Sequence, residues 1–172
     1  MNPSKKEETV KVCVRCRPPL QREQSGNLQE CLVVDEHTNE IIINKEKAYQ
    51  YDKVFMQNSN QREIYSFAVE HIVQNCFEGY NGTVFAYGQT ASGKTYTMGG
   101  NEHVEDTQSE EDLGVIPRAL EQIYSIADEL SRKGSEVTVD IGYLEVYNEE
   151  IHDLLCPETL PKDLAVREGP DG

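Results

Sequence analysis

Four residues with a fixed spacing could hold a phosphate group. Gly88, Gly93, Lys94 and Thr95 fit the pattern G-x-x-x-x-G-K-[ST], and they directly follow an apolar run, TVFAY, at 83–87. Glycines let backbone N–H groups converge on phosphate oxygens where a Cβ would obstruct them, the lysine adds positive charge, and the threonine hydroxyl suits Mg²⁺. The pattern therefore predicts a nucleoside triphosphate site. The residues that would wrap the phosphates are Gln89, Thr90, Ala91 and Ser92.

Such a loop needs a strand before it and a helix after it, among further elements that pack around them. The run at 83–87 is short and continuously apolar, which predicts a strand buried on both faces. Residues 60–77 place apolar side chains three or four apart, and Asn60 with Glu63 has the spacing of a capping box, so this segment is predicted to be helical. A second amphipathic helix is predicted from Ile116 to near Gly134.

The other periodic segments predict strands. Residues 10–17 alternate apolar and polar side chains, and residues 136–147 form a longer run of the same kind. Three short β-rich runs at 31–35, 40–44 and 48–55 predict a small antiparallel sub-sheet. The resulting fold class is α/β, a P-loop NTPase-type central mixed or parallel sheet with flanking helices and a small antiparallel β-lobe.

Composition excludes several classes of protein. The net charge of −15 is concentrated at 101–112 and 145–153, which makes a polyanion such as nucleic acid a poor partner. No apolar stretch approaches the roughly 20 residues of a membrane span, and no secretion signal is visible, so a cytoplasmic or nuclear location is expected. Five scattered cysteines predict no disulfide framework, and the histidines have no metal-site spacing. Residues 1–9 are expected to form a flexible tail.

Four segments together resemble the kinesin motor domain. They are VRCRP at 14–18, FAYGQTASGKTYTMGG at 85–100, GVIPRAL at 114–120 and YLEVYNEEIHDLL at 143–155, in the order and approximate spacing of that family. The resemblance covers nearly the whole chain, with the chromokinesin-like branch as the nearest candidate. It implies a motor ATPase that uses ATP/ADP and Mg²⁺ and moves along microtubules.

The resemblance also assigns roles to residues. It makes Lys94 and Thr95 the catalytic residues of the loop at 88–95, with Mg²⁺ at Thr95. Arg15, Arg17 and Pro18 would flank the adenine from the first strand, with Tyr96 on the other side of the base; guanidinium and aromatic faces stack well on a purine. The acidic stretch 100–113 would be the variable loop beside the nucleotide.

The family's switch motifs, N-x-x-S-S-R-S-H and D-L-A-G-S-E, do not occur in the sequence. Residues 10–172 are therefore expected to be the N-terminal half of a motor domain, a truncated part that is poorly stable and neither motile nor active at motor rates alone. Tubulin contacts, a cytoskeletal location at microtubules, spindle or cilium, and dimerisation through a downstream coiled coil would belong to the whole protein.

Two other functions fit the same loop. One is another P-loop enzyme, such as a small nucleotide or metabolite kinase, although the chain offers no basic lid that could clamp a transferring phosphoryl group. The other is a module that binds nucleotide without motility. Hydrolysis would also need an aspartate that holds the metal from a second strand. Asp140, which ends the run VTVD, is the only candidate for that role, and the favoured interpretation is that it is an ordinary strand residue.

Overall fold

The structure, a computed structural model, describes residues 10–24, 31–100 and 110–166. The predicted tail at 1–9 and most of the acidic loop, 101–109, lie outside these residues. The chain divides into two compact units, Met1–Asp128 and Glu129–Gly172, and each is described by itself. Among the described helices, none is both long enough and apolar enough to cross a membrane.

Most strands of the first unit precede its helices along the chain. Its strands are β1 (Cys13–Arg15), β2 (Leu32–Asp35), β3 (Glu40–Ile43), β4 (Lys47–Gln50) and β5 (Lys53–Phe55). Its helices are α1 (Gln21–Gln24), α2 (Gln61–Ala68), α3 (Glu70–Phe77), α4 (Lys94–Met98) and α5 (Val115–Arg132), the last of which crosses into the second unit, and a 3₁₀ turn spans Glu110–Asp112.

The predicted antiparallel sub-sheet is confirmed, with one correction to its last strand. Strands β2, β3 and β4 pair in sequence order, and Ile41 faces Val34 on one side and Tyr49 on the other. The predicted strand at 48–55 is instead two strands, because the chain turns at Asp52. The Asp52 carboxylate accepts a hydrogen bond from the Val12 backbone N–H at 2.7 Å, and beyond it β5 pairs in parallel with β1.

The β1–β5 pair is the only parallel pairing among the described strands. Val14 lies opposite Val54, and Val54 is 2% exposed, so this pair lies at the inner side of the unit. The predicted strand at 10–17 is shorter than expected, since its first residues have no ladder partner and Val10 and Val12 are exposed.

The predicted helix at 60–77 is two consecutive helices. The capping box is confirmed: the Glu63 N–H donates to Asn60 Oδ1 at 2.8 Å, and the Asn60 N–H donates back to the Glu63 carboxylate at 3.2 Å. The break between α2 and α3 falls at Val69, whose φ of −123° departs from helical values. Val69 is nevertheless buried, so the break keeps the apolar face of both helices turned inward.

The predicted second helix is confirmed as α5, and it packs on α2 and α3. Buried residues of the three helices form one apolar cluster: Tyr65, Val69, Val73 and Val115. The Tyr65 hydroxyl donates to the Gln122 side chain, whose amide donates in turn to the Glu70 carbonyl at 3.2 Å. Burial, with a smaller effect of Glu70, raises the pKa of Tyr65 to about 12, so the hydroxyl stays protonated and donates this bond.

The prediction of a buried strand at 83–87 is not met in this structure. The segment joins no ladder, and its aromatic residues Phe85 and Tyr87 are 75% and 95% exposed. A strand needs a neighbour to pair its backbone N–H and C=O groups, and no described strand lies beside this segment. These residues are mostly apolar, as in a buried strand, but most of them remain exposed in this structure.

In the second unit, the predicted strand at 136–147 is formed only at its end. Strand β6 (Leu144–Tyr147) pairs antiparallel with β7 (Glu150–Asp153), and a 3₁₀ turn follows at Pro161–Asp163. Asn148 and Glu149, at the tip of the hairpin, have φ values of 49° and 67°. Two consecutive left-handed residues make a tight turn that reverses the chain, so β6 finds its partner locally. The Tyr143 carbonyl still accepts from the Leu154 N–H at 2.8 Å, whereas residues 136–142 join no described ladder.

The capping box at Asn60 supports the start of α2. We expect Asn60→Ala to lower the free energy of unfolding by about 1 kcal/mol, because the Glu63 N–H loses its acceptor. Urea unfolding followed by circular dichroism measures this change. Asn58→Ala is the matched control, since Asn58 is exposed two residues earlier and should change stability by less than about 0.5 kcal/mol. Equal effects of the two substitutions would contradict a capping role.

Candidate functional site

The loop at 88–95 has a backbone that needs its glycines. Gly93 has a φ of +98° and directly precedes α4, and Ala91 has a φ of +64°. At Gly88, a Cβ atom would lie 2.5 Å from the Ser92 hydroxyl oxygen. Left-handed residues interleaved with ordinary ones form a concave backbone whose N–H groups can bind an anion. This geometry is the kind that the sequence pattern predicts for a phosphate loop.

Lys94 and Thr95, the two predicted catalytic residues, begin α4. The Lys94 ammonium donates to the backbone carbonyls of Gly88 and Gln89, at 2.7 and 2.9 Å. Thr95 is exposed, and none of the described hydrogen bonds uses its hydroxyl. The lysine therefore reaches back across the loop, while the threonine hydroxyl is accessible at the helix start.

Arg17 contacts this loop, and Pro18 follows Arg17 in the chain; their role beside an adenine stays a prediction of the resemblance. The Arg17 Nε donates to the Ala91 carbonyl at 3.1 Å, so the end of the first strand is tied to the middle of the loop. The same guanidinium binds Glu23 of α1 through two hydrogen bonds of 2.8 and 2.6 Å, and it also donates to the Pro18 carbonyl. Glu23 thereby fixes the orientation in which Arg17 meets the loop.

Arg15 and Tyr96 are brought together, but not in the predicted arrangement. The Arg15 guanidinium lies 4.9 Å from the centre of the Tyr96 ring, and its Nη1 donates to Gln61 Oε1 and Thr97 Oγ1, both at 2.9 Å. The prediction has a purine with Arg15 on one side and Tyr96 on the other. Because the two side chains contact each other here, a base would have to part them or use another face of the ring. Tyr96 as a whole is 40% exposed.

Three residues of the site have no signal in the sequence analysis: Glu23, Gln61 and Thr97. Gln61 is 2% exposed and lies one residue after the Asn60 cap, in the first turn of α2. The spacing rules for a capping box concern Asn60 and Glu63 and attach nothing to the residue between them. Its contacts with β1 and α4 are long-range, and a single sequence does not encode them as a pattern.

Asp140 belongs to the second unit, where it is exposed. The favoured interpretation, an ordinary strand residue, is not met, because strand β6 begins only at Leu144. Its candidacy as a metal-binding aspartate stays a hypothesis from sequence.

Comparison with known proteins decides the family. A family model described as the kinesin motor domain matches residues 15–172. The chain belongs to the kinesin motor domain family. Its α/β architecture is therefore that of a P-loop NTPase, and membership of this family implies nucleotide binding.

Individual relatives agree with this kinesin assignment. The chain is 40% identical over 94% of its length to human chromosome-associated kinesin KIF4A and 42% identical over 95% to human kinesin-like protein KIF27. It is 40% identical over 88% of its length to kinesin-like protein KIN-5B of Oryza sativa subsp. japonica. The aligned parts span only 13%, 11% and 15% of those proteins. Similar identities to differently named kinesins leave the chromokinesin-like branch a prediction.

Gly93 is the position of the loop where the backbone conformation most clearly requires glycine. A Cβ at this position would have only Arg17 Cδ nearby, at 4.0 Å, so Gly93→Ala introduces backbone strain without a collision. We expect a loss of about 1–2 kcal/mol in the free energy of unfolding, measured by urea titration.

Gly142→Ala is the matched control for this substitution. Gly142 has an ordinary φ and open space around it, so an added methyl group should change stability by less than about 0.5 kcal/mol. An unchanged stability of Gly93→Ala would mean that the loop does not hold the left-handed conformation.

Proposed function

We propose that this chain is the ATP-binding part of a microtubule-dependent motor ATPase, which couples ATP hydrolysis to movement along microtubules. The observation that carries the proposal is the loop at 88–95: a concave backbone that runs through left-handed Gly93 into α4, with Lys94 at its mouth. Its occurrence in a member of the kinesin family favours a motor ATPase over a small-molecule kinase.

The residues of the loop suit a Mg²⁺-bound triphosphate. The N–H groups of Gln89, Thr90, Ala91 and Ser92, with Gly88 and Gly93 as the flexible points, would wrap the phosphates. The Lys94 ammonium now binds two neutral carbonyls and has three protons to donate, so it can turn to phosphate oxygens without breaking an ion pair. The accessible Thr95 hydroxyl would be a ligand of Mg²⁺, an ion that prefers oxygen donors.

The adenine would lie beside the residues that flank the loop. Arg17, which precedes Pro18, contacts the loop at Ala91, and Arg15 contacts Tyr96 of α4. Because Arg15 covers part of the Tyr96 ring, we place the base against an accessible face of that ring, with Arg17 and Pro18 as its other boundary. Stacking and cation–π contacts of this kind bind a purine without reading its edges.

Microtubules and the cytoskeleton are the proposed partner and location, with ATP/ADP and Mg²⁺ as cofactors. The tip of the β6–β7 hairpin carries Glu149 and Glu150, which are poor contacts for an acidic polymer, so we assign tubulin binding to other parts of the protein. One relative is named a chromosome-associated kinesin, which makes a spindle or nuclear site a candidate alongside the cytoplasm or cilium. Dimerisation through a coiled coil is likewise proposed for the whole protein.

Residues 10–172 are proposed to act as the N-terminal half of a motor domain. The segment at 83–87 and strand β6 carry exposed apolar side chains, among them Phe85, Tyr87, Leu144 and Val146. On each of these segments, exposed apolar side chains are costly in water and are usually covered by other protein. Further strands of a larger motor domain would supply the missing partners, in keeping with the small share of its relatives that the chain spans.

Lys94 should be the most sensitive residue of the site. We expect Lys94→Ala to raise the Kd for Mg-ATP roughly ten- to a hundredfold or more, because the loss of a charged hydrogen-bond donor costs about 1.5–3 kcal/mol. Titration with a fluorescent ATP analogue measures the change.

Lys47→Ala, on exposed strand β4, is the control for Lys94→Ala and should leave the Kd unchanged. An unaltered affinity of Lys94→Ala would remove the site assignment. Phosphoryl transfer from ATP to a small acceptor by the wild-type chain would favour the kinase alternative, and tight binding without turnover by the whole native protein would favour a non-motile module.

The proposed role of Thr95 predicts a metal-specific effect. Wild-type protein should bind ATP more tightly in Mg²⁺ than in EDTA, whereas Thr95→Ala should lose most of that difference, because its side chain no longer offers a ligand. Calorimetric titrations in the two buffers give the comparison. Thr83→Ala, which removes a hydroxyl outside the loop, should keep the wild-type difference, and a Thr95→Ala protein that also keeps it would refute Mg²⁺ binding by this residue.

A further inference from the structure

Gln61 is a buried side chain whose hydrogen bonds reach three separate segments. It is 2% exposed, and its Oε1 accepts from Arg15 Nη1 of β1 at 2.9 Å. Its Nε2 donates to the backbone carbonyl of Tyr96 in α4 at 2.7 Å, and to that of Asp112 at 3.5 Å. A buried amide with both ends bonded is a fixed point, because any rotation would leave desolvated polar groups without partners.

The two shortest of these bonds end on residues that contact each other. Arg15 lies over the Tyr96 ring, and Gln61 holds the guanidinium of the first and the backbone of the second. Thr97 Oγ1 accepts from the same Arg15 nitrogen, so the guanidinium has two fixed acceptors. Position and plane of the Arg15–Tyr96 pair are thus set by neighbouring side chains and not by the pair alone.

We propose that Gln61 is a positioning residue for the purine of the bound nucleotide: it sets the Arg15–Tyr96 pair in the orientation against which the base stacks. The inference rests on the proposed nucleotide site and extends it to the nucleoside side. Stacking is sensitive to ring offset and angle, so a platform with a fixed orientation binds a base better than a loose one.

The phosphate side of the site has its own supports. The loop is tied by Lys94 to the carbonyls of Gly88 and Gln89, and by Arg17 to that of Ala91. The hydrogen bonds of Gln61 go instead to Arg15, Tyr96 and Asp112, none of which belongs to residues 88–95. Loss of Gln61 should therefore weaken recognition of the base and leave recognition of the phosphates largely intact.

The test compares ATP with inorganic tripolyphosphate, which presents the phosphates without a base. Both are titrated with Mg²⁺ by calorimetry into the full chain and into Gln61→Met, which keeps the length of the side chain and removes its hydrogen bonds. We expect the Kd for ATP to rise about tenfold, as for the loss of one or two hydrogen bonds, and the Kd for tripolyphosphate to change less than about twofold.

Gln122→Met is the matched control. Gln122, which is half-buried, likewise has hydrogen bonds to two groups, the Tyr65 hydroxyl and the Glu70 carbonyl, and none of its described hydrogen bonds goes to Arg15 or α4. This variant should bind both ligands as the wild type does. Should Gln61→Met fail to fold, Gln61→Glu keeps an acceptor for Arg15 but sets a carboxylate oxygen against the Tyr96 carbonyl, where Nε2 donates in the wild type. It should therefore lower the preference for ATP over tripolyphosphate by about threefold or more.

Each other outcome overturns the proposal in a recognisable way. An equal loss for ATP and tripolyphosphate in Gln61→Met would make Gln61 a general support of the fold. Unchanged ATP binding would remove its role while leaving the nucleotide site in place, and so would a Gln61→Glu protein that folds and keeps the full wild-type preference for ATP. A wild-type chain that binds neither ligand would overturn the nucleotide site and the positioning role together.

Discussion

The concave backbone of residues 88–93 is the constraint on which the candidate site depends. Ala91 and Gly93 both have left-handed backbone conformations. Glycine adopts this conformation readily, whereas alanine does so at a cost in free energy and keeps it only where its surroundings hold it. Here Arg17 binds the Ala91 carbonyl on one side, and the first turn of α4 begins on the other, with the Thr97 N–H bonded to the Gly93 carbonyl at 3.0 Å. The loop is therefore shaped by the first strand and by the helix that follows it, and both must be in place for an anion to bind.

Helix α4 in turn depends on the apolar core. With five residues it is too short to be stable by itself, since helices of this length do not repay the cost of nucleation. Two contacts compensate: Gln61 donates to the Tyr96 carbonyl, and Met98 packs against the cluster that joins α2, α3 and α5. The side chains that give the first unit its stability thus also hold the helix that begins with Lys94 and Thr95. Loss of packing in the core would therefore also disturb the site.

Features that depend on residues close together in the sequence could be predicted, and features that depend on distant residues could not. The phosphate loop and the Asn60–Glu63 capping box are local, so spacing alone identifies them, and the structure has the expected backbone at both. The break at Val69 between α2 and α3 does not disturb the three- or four-residue spacing of apolar side chains, so that spacing cannot reveal it. Gln61 acquires its importance from partners 35 to 51 residues away in sequence, as its contacts with Tyr96, Arg15 and Asp112 show, and no local pattern marks such a residue. The run at 83–87 carries the signature of burial, but pairing needs a second strand, which a residue's own neighbourhood cannot supply.

An anion site in a chain with a net charge of −15 needs local cations that carboxylates do not neutralise. The hydrogen bonds of Lys94 go to two carbonyl oxygens, and those of Arg15 to an amide and a hydroxyl, all neutral acceptors. Of the salt bridges between described residues, one involves these three cations, that of Arg17 with Glu23. The hydrogen bonds of Lys94 and Arg15 to neutral groups therefore leave their charge available to an anion. The same overall charge that disfavours an extended polyanion is thus compatible with a compact triphosphate, whose charge lies within reach of these few groups.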